Sequence, residues 1–349
     1  MERKSIITED LARIASEPID WERLRGSRVL ISGVNGLIAS YVAQMIFYLN
    51  DEKDMQISLY GIARNREKTE KKWGELLMRS DFHMLYQDVA LPLEADGLSF
   101  DYMLHAASQT GPAQFANDPV GTAMGNLLGT YHLLEYAREH GTKKFMILST
   151  REIYGKGEHD FVTEEQYGAI DPTSVRSCYP ESKRMAENLC ADYMQQYGID
   201  CKIVRIAHTY GPGMILGDGR VVGDFLCNVV RHEDIVMHSD GSGTLALTYI
   251  GDVVAGIFYA FLQFKEFVYN VSNSEETVSV RGLAELLCEQ FAHYGIRLIM
   301  DIPEQKSSGY LSYKLGFLKS DRAMAEGWQP KVCLKDGMNR TVRYFEECN

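Results

Sequence analysis

A tyrosine and a lysine stand four positions apart in "SCYPESKRMAEN", residues 177–188, at the head of a helix-forming run. Four positions is about one helical turn, so Tyr179 and Lys183 project from one face and can share a small site suited to proton transfer. A free tyrosine titrates at about 10, so a phenolate base near neutral pH needs about three units of help, roughly 4 kcal/mol. Lys183 and a positively charged nicotinamide ring are the available sources. Thr150 closes the apolar run "KFMILST", where its hydroxyl could bond the reacting hydroxyl facing Tyr179.

Positioning these groups requires a rigid scaffold, and the chain spells one. Short apolar runs at 28–32, 57–63, 82–89, 102–108, 144–150, 201–209 and 267–272 alternate with helical patterns. That alternation predicts an α/β, Rossmann-like, doubly wound parallel sheet with ligands beyond the carboxyl ends of its strands, and a smaller, interleaved substrate-binding lobe. Boundaries are expected at 1–25 for a helical extension, 26–210 for the dinucleotide-binding part and 211–349 for the substrate lobe, with 247–272 returning to the first part.

After the first run comes "GVNGLIA", with Gly33, Gly36 and then Ala39 where a third glycine would stand. Small residues between strand and helix let the backbone approach a pyrophosphate at the helix's positive end. The second run ends in "GIARNREK", which lacks the acid that accepts from an adenosine ribose. Arg64 there receives a 2′-phosphate, favouring NADP, or stacks on adenine; both readings stay open. Asp88 is a candidate for the adenine amino group.

Composition narrows the function classes. A net charge of −12 repels phosphate backbones and anionic lipid, so neither nucleic acid nor a membrane is the expected partner. The first residues are broken by acids, and no later run reaches the length of a membrane span. Seven cysteines without a CxxC pair argue for reduced, cytoplasmic thiols and against a structural metal.

Taken together, GVNGLIA, "HAASQTGPAQF", Asn126 in "GNLLGTYHLL", "STREIYG", the Tyr179/Lys183 pair and "RIAHTYGPG" resemble the extended short-chain dehydrogenase/reductases of the nucleotide-sugar epimerase/dehydratase group. Within that group the chain is similar to UDP-glucuronate decarboxylases through "EEQYGAIDPTSVRSCYPESKRMAENLC", "GDGRVVGDF" and "GWQPKVCLKDGM". The resemblance implies an NAD cofactor, with NADP as the alternative, held by Gly33, Asn35, Gly36, Leu37, Ile38, Arg64, Asp88, Val89, Ala106, Ala107, Ser108, Asn126, Tyr179 and Lys183. It also implies a nucleotide-sugar substrate, a homodimer, and catalysis by Thr150, Glu152, Tyr179 and Lys183. Tyr179 then deprotonates the sugar 4-hydroxyl while hydride leaves C4.

Glu152 resembles the glutamate of decarboxylases and 4,6-dehydratases, but the dehydratases' preceding aspartic acid is replaced by Arg151. A guanidinium gives up no proton and can hold a carboxylate, which favours a uronic acid. The remaining substrate contacts are expected from Thr110, His208, Arg176, Arg220 and Lys314. His208 and Leu245 depart from the relatives' asparagine and arginine near the nucleotide diphosphate. The alternatives are a 4-epimerase, a 4,6-dehydratase, a C4 oxidoreductase, or a dinucleotide-binding regulatory protein.

Overall fold

Seven of the apolar runs become strands of a single, wholly parallel sheet in the computed structural model, which describes residues 5–348 except 96, 158 and 303–314. They are β1 (Arg28–Ser32), β2 (Ser58–Ala63), β3 (Phe82–Tyr86), β4 (Tyr102–His105), β5 (Lys144–Thr150), and the strands Cys201–Ile206 and Val268–Val271. Across the sheet the order is Val268–Val271, Cys201–Ile206, β5, β4, β1, β2, β3. Both faces are covered, because successive side chains of a strand point to opposite sides. Val29 and Ile31 join one apolar cluster while Leu30 joins the other, and Met146 and Leu148 separate from Phe145 and Ile147 in the same way.

The helices α1 (Ser5–Ala15), α2 (Leu37–Lys53) and Ile250–Leu262 cover the first face. On the second face lie α5 (Pro119–His140) and α6 (Cys178–Tyr197), through Leu133, Leu134, Ala137, Ala186 and Cys190. The short α3 (Arg66–Trp73) and α4 (Pro112–Asn117) flank the strands' carboxyl ends. Asp118 caps α5 by accepting from Gly121 N–H, and both α5 and α6 end on glycines with positive φ, Gly141 and Gly198.

The run 201–209 splits after Ile206: His208–Tyr210 leaves the large sheet and pairs with Thr244–Tyr249, which pairs in turn with Thr277–Ser279. Residues 247–249 therefore lie in the small sheet, and the chain rejoins the large one through helix Ile250–Leu262 and strand Val268–Val271. Among the described residues no helix is long and apolar enough to cross a membrane.

Candidate active site

β5 is buried along its whole length and stops at Thr150, where the chain tightens into a 3-10 turn, Arg151–Tyr154. Thr150 Oγ1 accepts from Glu152 N–H at 3.2 Å and caps the turn. Adjacent strand residues point apart, so only this turn lets Arg151 and Glu152 sit on the same cleft. Arg184 holds the turn from α6, donating to Ile153 O and Gly168 O at 2.7 Å each. Beneath it, Tyr154 donates to Asn270 Oδ1 at 2.7 Å, and the buried Arg205 donates to Tyr154 Oη at 2.8 Å while pairing with Glu187 at 2.6 Å.

α6 brings the other half. Tyr179 and Lys183 occupy its inward face and are only 8% and 3% exposed. Lys183 Nζ donates to Leu148 O of β5 at 2.9 Å, which anchors the helix to the strand two residues before Thr150. Burial pushes the Tyr179 phenol up to about 12; its bond with Thr150 pulls down, the Glu152 charge pushes up, and Arg176 pulls down. Burial brings Lys183 down to about 8, against the opposing charge of Glu187. A phenol resting this high stays neutral near pH 7 unless a neighbouring cation favours its phenolate.

The dinucleotide end is built by close backbone approach. Gly33 has φ +69°, and a Cβ there would come within 2.6 Å of Ala107 Cα. Ser32 Oγ accepts from the N–H groups of Ala106 and Ala107 at 3.2 Å each and donates to His105 Nδ1 at 2.7 Å, fixing the segment after β4. Gly36 stands at the N-cap of α2, and Leu37 and Ile38 open its first turn, with Leu37 against Gly213. A glycine cradle under a helix N-terminus fits a dinucleotide diphosphate.

Not every expected contact is free to make one. The Asn35 side chain is committed to Thr69 Oγ1 at 2.8 Å and Trp73 Nε1 at 2.9 Å, and its backbone oxygen accepts from Lys72. Arg64 forms an exposed ion pair with Asp88 at 3.3 Å, so its cation has a counter-charge where a 2′-phosphate would seek one. Val89 is buried in the second core. Asn126 Nδ2 donates to Ser182 Oγ at 2.9 Å and ties α5 to α6, with its Oδ1 buried and unpartnered. Ser108 Oγ donates to Gln109 O at 3.1 Å.

On the substrate side, the half-buried Arg151 guanidinium makes no hydrogen bond or ion pair among the described residues; burial lowers its pKa, and Glu152 opposes this. His208 keeps solvent on its ring although protein surrounds it, as befits a side chain lining a cleft. That crowding, followed by the charges of Arg151 and Arg220, pushes its pKa down. Arg220 is paired with Asp218 at the start of helix Val221–Val230. Arg176 turns inward to Glu152 at 2.8 Å. Thr110 is exposed, its N–H donating to Gln114 Oε1 at 3.2 Å, and Lys314 lies outside the described residues.

Three contributors escape a reading by motif. Phe115 on α4 stacks on Tyr179 with ring centres 4.8 Å apart. Lys72 on α3 donates to Asn35 O at 2.9 Å, and burial brings its pKa down to about 8. Arg205 was detectable in principle, because a cation inside the apolar run "CKIVRIA" must find an internal partner. Phe115 and Lys72 carry no such signal, since an aromatic or a lysine on a short helix is ordinary.

Comparison with known proteins agrees with this geometry. UDP-glucuronic acid decarboxylase 6 of Arabidopsis thaliana is 31% identical over 312 residues, 89% of this chain and 86% of the relative. UDP-glucuronic acid decarboxylase 1 of Xenopus tropicalis is 28% identical over 324 residues, 92% of this chain and 72% of the relative. Among solved structures, the UDP-glucuronic acid 4-epimerase of Bacillus cereus in complex with UDP-glucuronic acid and NAD shares the fold with a TM-score of 0.73 at 21% identity, covering 92% of this chain and 100% of that one. A dTDP-glucose 4,6-dehydratase of Streptomyces venezuelae does so with a TM-score of 0.72 at 20% identity, covering 92% and 97%. The pattern defining the NAD dependent epimerase/dehydratase family runs through residues 29–272, from β1 through the Tyr179 helix to the last strand of the large sheet, and the chain belongs to that family.

Proposed function

We propose that the protein decarboxylates a UDP-linked uronic acid through transient oxidation at sugar C4. The observation that carries this reading is the Arg151 guanidinium, which has no ion-pair partner among the described residues and stands next to Glu152, one residue beyond Thr150. A half-buried guanidinium with no ion-pair partner among the described residues suits an anion, and a uronate carboxylate supplies one. The names of the relatives support the same substrate class.

In this reading Thr150 and Tyr179 hold the 4-hydroxyl, and the Tyr179 phenolate takes its proton as hydride leaves C4. NAD, when bound, supplies the hydride acceptor and afterwards the donor. Lys183 stabilises the phenolate. The resulting C4 ketone is β to the carboxylate held by Arg151, so the C5–C6 bonding pair moves into the ketone as carbon dioxide departs. The enolate oxygen rests against Thr150 and Tyr179, C5 takes up a proton, and hydride returns to C4. Glu152 serves the steps after ketone formation.

The Arg64–Asp88 pair supports NAD over NADP, since it neutralises the cation that a 2′-phosphate would seek. A homodimer through the outer sides of α5 and α6 is supported by the exposed Val120, Met124, Tyr131 and Met185, and a cytoplasmic setting by seven free thiols. Residues 211–349 outside the large sheet form the proposed substrate lobe.

Incubating the NAD-loaded protein with UDP-glucuronate should yield carbon dioxide and a UDP-pentose detectable by mass spectrometry. A product of unchanged mass would move the assignment to a 4-epimerase. Arg151→Met should raise KM for UDP-glucuronate about ten- to two-hundredfold, the scale of a lost charge-assisted bond, while barely changing KM for UDP-glucose oxidation at C4. Equal losses for both substrates would sink the carboxylate role.

A further inference from the structure

The sequence places Arg176 among the expected substrate contacts, where a cation would suit the phosphates, but the fold directs it elsewhere. Its Nη2 donates to Glu152 Oε1 at 2.8 Å, and its guanidinium carbon lies 4.5 Å from the centre of the Phe115 ring. That ring is stacked on Tyr179, with an interplanar angle of 21° and a centre distance of 4.8 Å. Three segments meet in this column: the turn after β5, the 3-10 turn Val175–Ser177 that leads into α6, and α4. Among the described residues Arg176 Nη1 and Glu152 Oε2 are both closed to water and without a hydrogen-bond partner. A phosphate oxygen could reach Nη1 only by taking the column apart.

We propose that Arg176 and Phe115 form a positioning stack that holds Glu152 and Tyr179 in place, and that Arg176 does not bind the substrate's phosphates. This rests on the reading of Tyr179 as the base. Each member has a physical task. Arg176 keeps a half-buried carboxylate from standing alone, a situation that costs more as water is excluded. Phe115 fixes the plane of the Tyr179 ring, so the phenol oxygen faces Thr150. The groups acting on the phenol from the surrounding elements are Thr150 at the end of β5, Glu152 in the turn after it, and Arg176 before α6; Lys183 shares its helix, and burial raises the pKa of the neighbouring Cys178 thiol. Glu152 disfavours the phenolate and Arg176 favours it, so removing one or the other should move Tyr179 in opposite directions.

The test uses the NAD-loaded full chain with 3,5-difluorotyrosine at position 179, whose phenol titrates in an accessible range and is read by absorbance without turnover. Arg176→Met should move that titration up by about one unit, Glu152→Gln should move it down, and Arg176→Lys should keep it near the parent value. Binding of UDP to Arg176→Met should stay within about twofold of the parent. Phe115→Leu should lower kcat for UDP-glucuronate with little change in KM. An Arg176→Met protein that loses UDP affinity about tenfold or more with an unmoved titration makes Arg176 a phosphate ligand and overturns the proposal, as does a variant pair that shifts in the same direction. If Arg176→Met fails to fold, Arg176→Gln removes the same charge and carries the comparison with Glu152→Gln. Intact titration shifts in a protein that releases no carbon dioxide would refute decarboxylation alone.

Discussion

At the scale of single residues, the site is a negotiation between burial and charge. Tyr179 rests at about 12 because its ring is enclosed, so turnover depends on groups that favour the phenolate. Tyr179→Phe should leave NAD binding and the melting temperature nearly unchanged while lowering turnover by about a hundredfold or more. Normal turnover in that variant, measured on the identified substrate, would remove Tyr179 from the role of base. Lys183 yields a prediction about stability. Its folded pKa of about 8 lies below the ordinary lysine value, so the folded state resists the proton that the unfolded chain accepts. The penalty is fully present below pH 8 and is relieved as pH rises toward the unfolded value of about 10.4. In the cofactor-free protein Lys183→Met should therefore be more stable than the parent at neutral pH, on the order of 1–3 kcal/mol, with the advantage fading as pH rises through that window. Urea unfolding at several pH values measures it; a constant difference would show that the shift is not felt in the fold.

At the scale of elements, the cofactor cradle depends on how closely β1's exit and β4's exit approach. Gly33 combines a left-handed φ with a position against Ala107, so Gly33→Ala meets both strain and a backbone clash. The expected cost is about 2–3 kcal/mol, together with weaker NAD binding, because the two segments must part. Gly36→Ala should be milder: its backbone is ordinary, and the added atom would stand 3.2 Å from Gly33 O. Thermal unfolding with and without NAD separates these cases, and equal costs at the two glycines would contradict the account. The glycine turn is also held from outside, by Thr69, Lys72 and Trp73 along one face of α3. A turn of small residues has little packing of its own, so an adjoining helix has to fix its shape.

At the scale of the whole molecule, the first helix is a tie between the two ends of the chain. Asp10 on α1 accepts from Tyr41 of α2 at 2.5 Å and from Tyr249 at 2.6 Å, and pairs with Arg340 of helix Leu334–Cys348 at 2.9 Å. Arg13 from the next turn pairs with Asp252 at 2.8 Å, and the other Asp252 oxygen accepts the N–H groups of Lys331 and Val332. Asp10→Ala would leave two buried phenols without their acceptor and Arg340 with Glu9 alone, at an expected cost of about 2–4 kcal/mol. Asp10→Asn, which retains an acceptor oxygen, should cost less. Calorimetric unfolding of the two variants checks the order; equal melting temperatures would show that α1 is dispensable to the tie.

Read alone, the sequence determined the alternation of strands and helices, the glycine turn and the Tyr179/Lys183 spacing, because these depend on short-range periodicity and on neighbours one turn apart. Which cations face the substrate was decided only by tertiary structure. Arg64, Arg176 and Arg220 look equivalent as letters, yet Asp88, Glu152 and Asp218 claim them in space, while Arg151 remains unpaired among the described residues. Glu152 and Arg176 are far enough apart along the chain that no local pattern couples them, and Phe115 reaches Tyr179 only because α4 folds over the head of α6. Long side chains choose partners by proximity in three dimensions, and one-dimensional spacing carries that information only within a helical turn or along a strand.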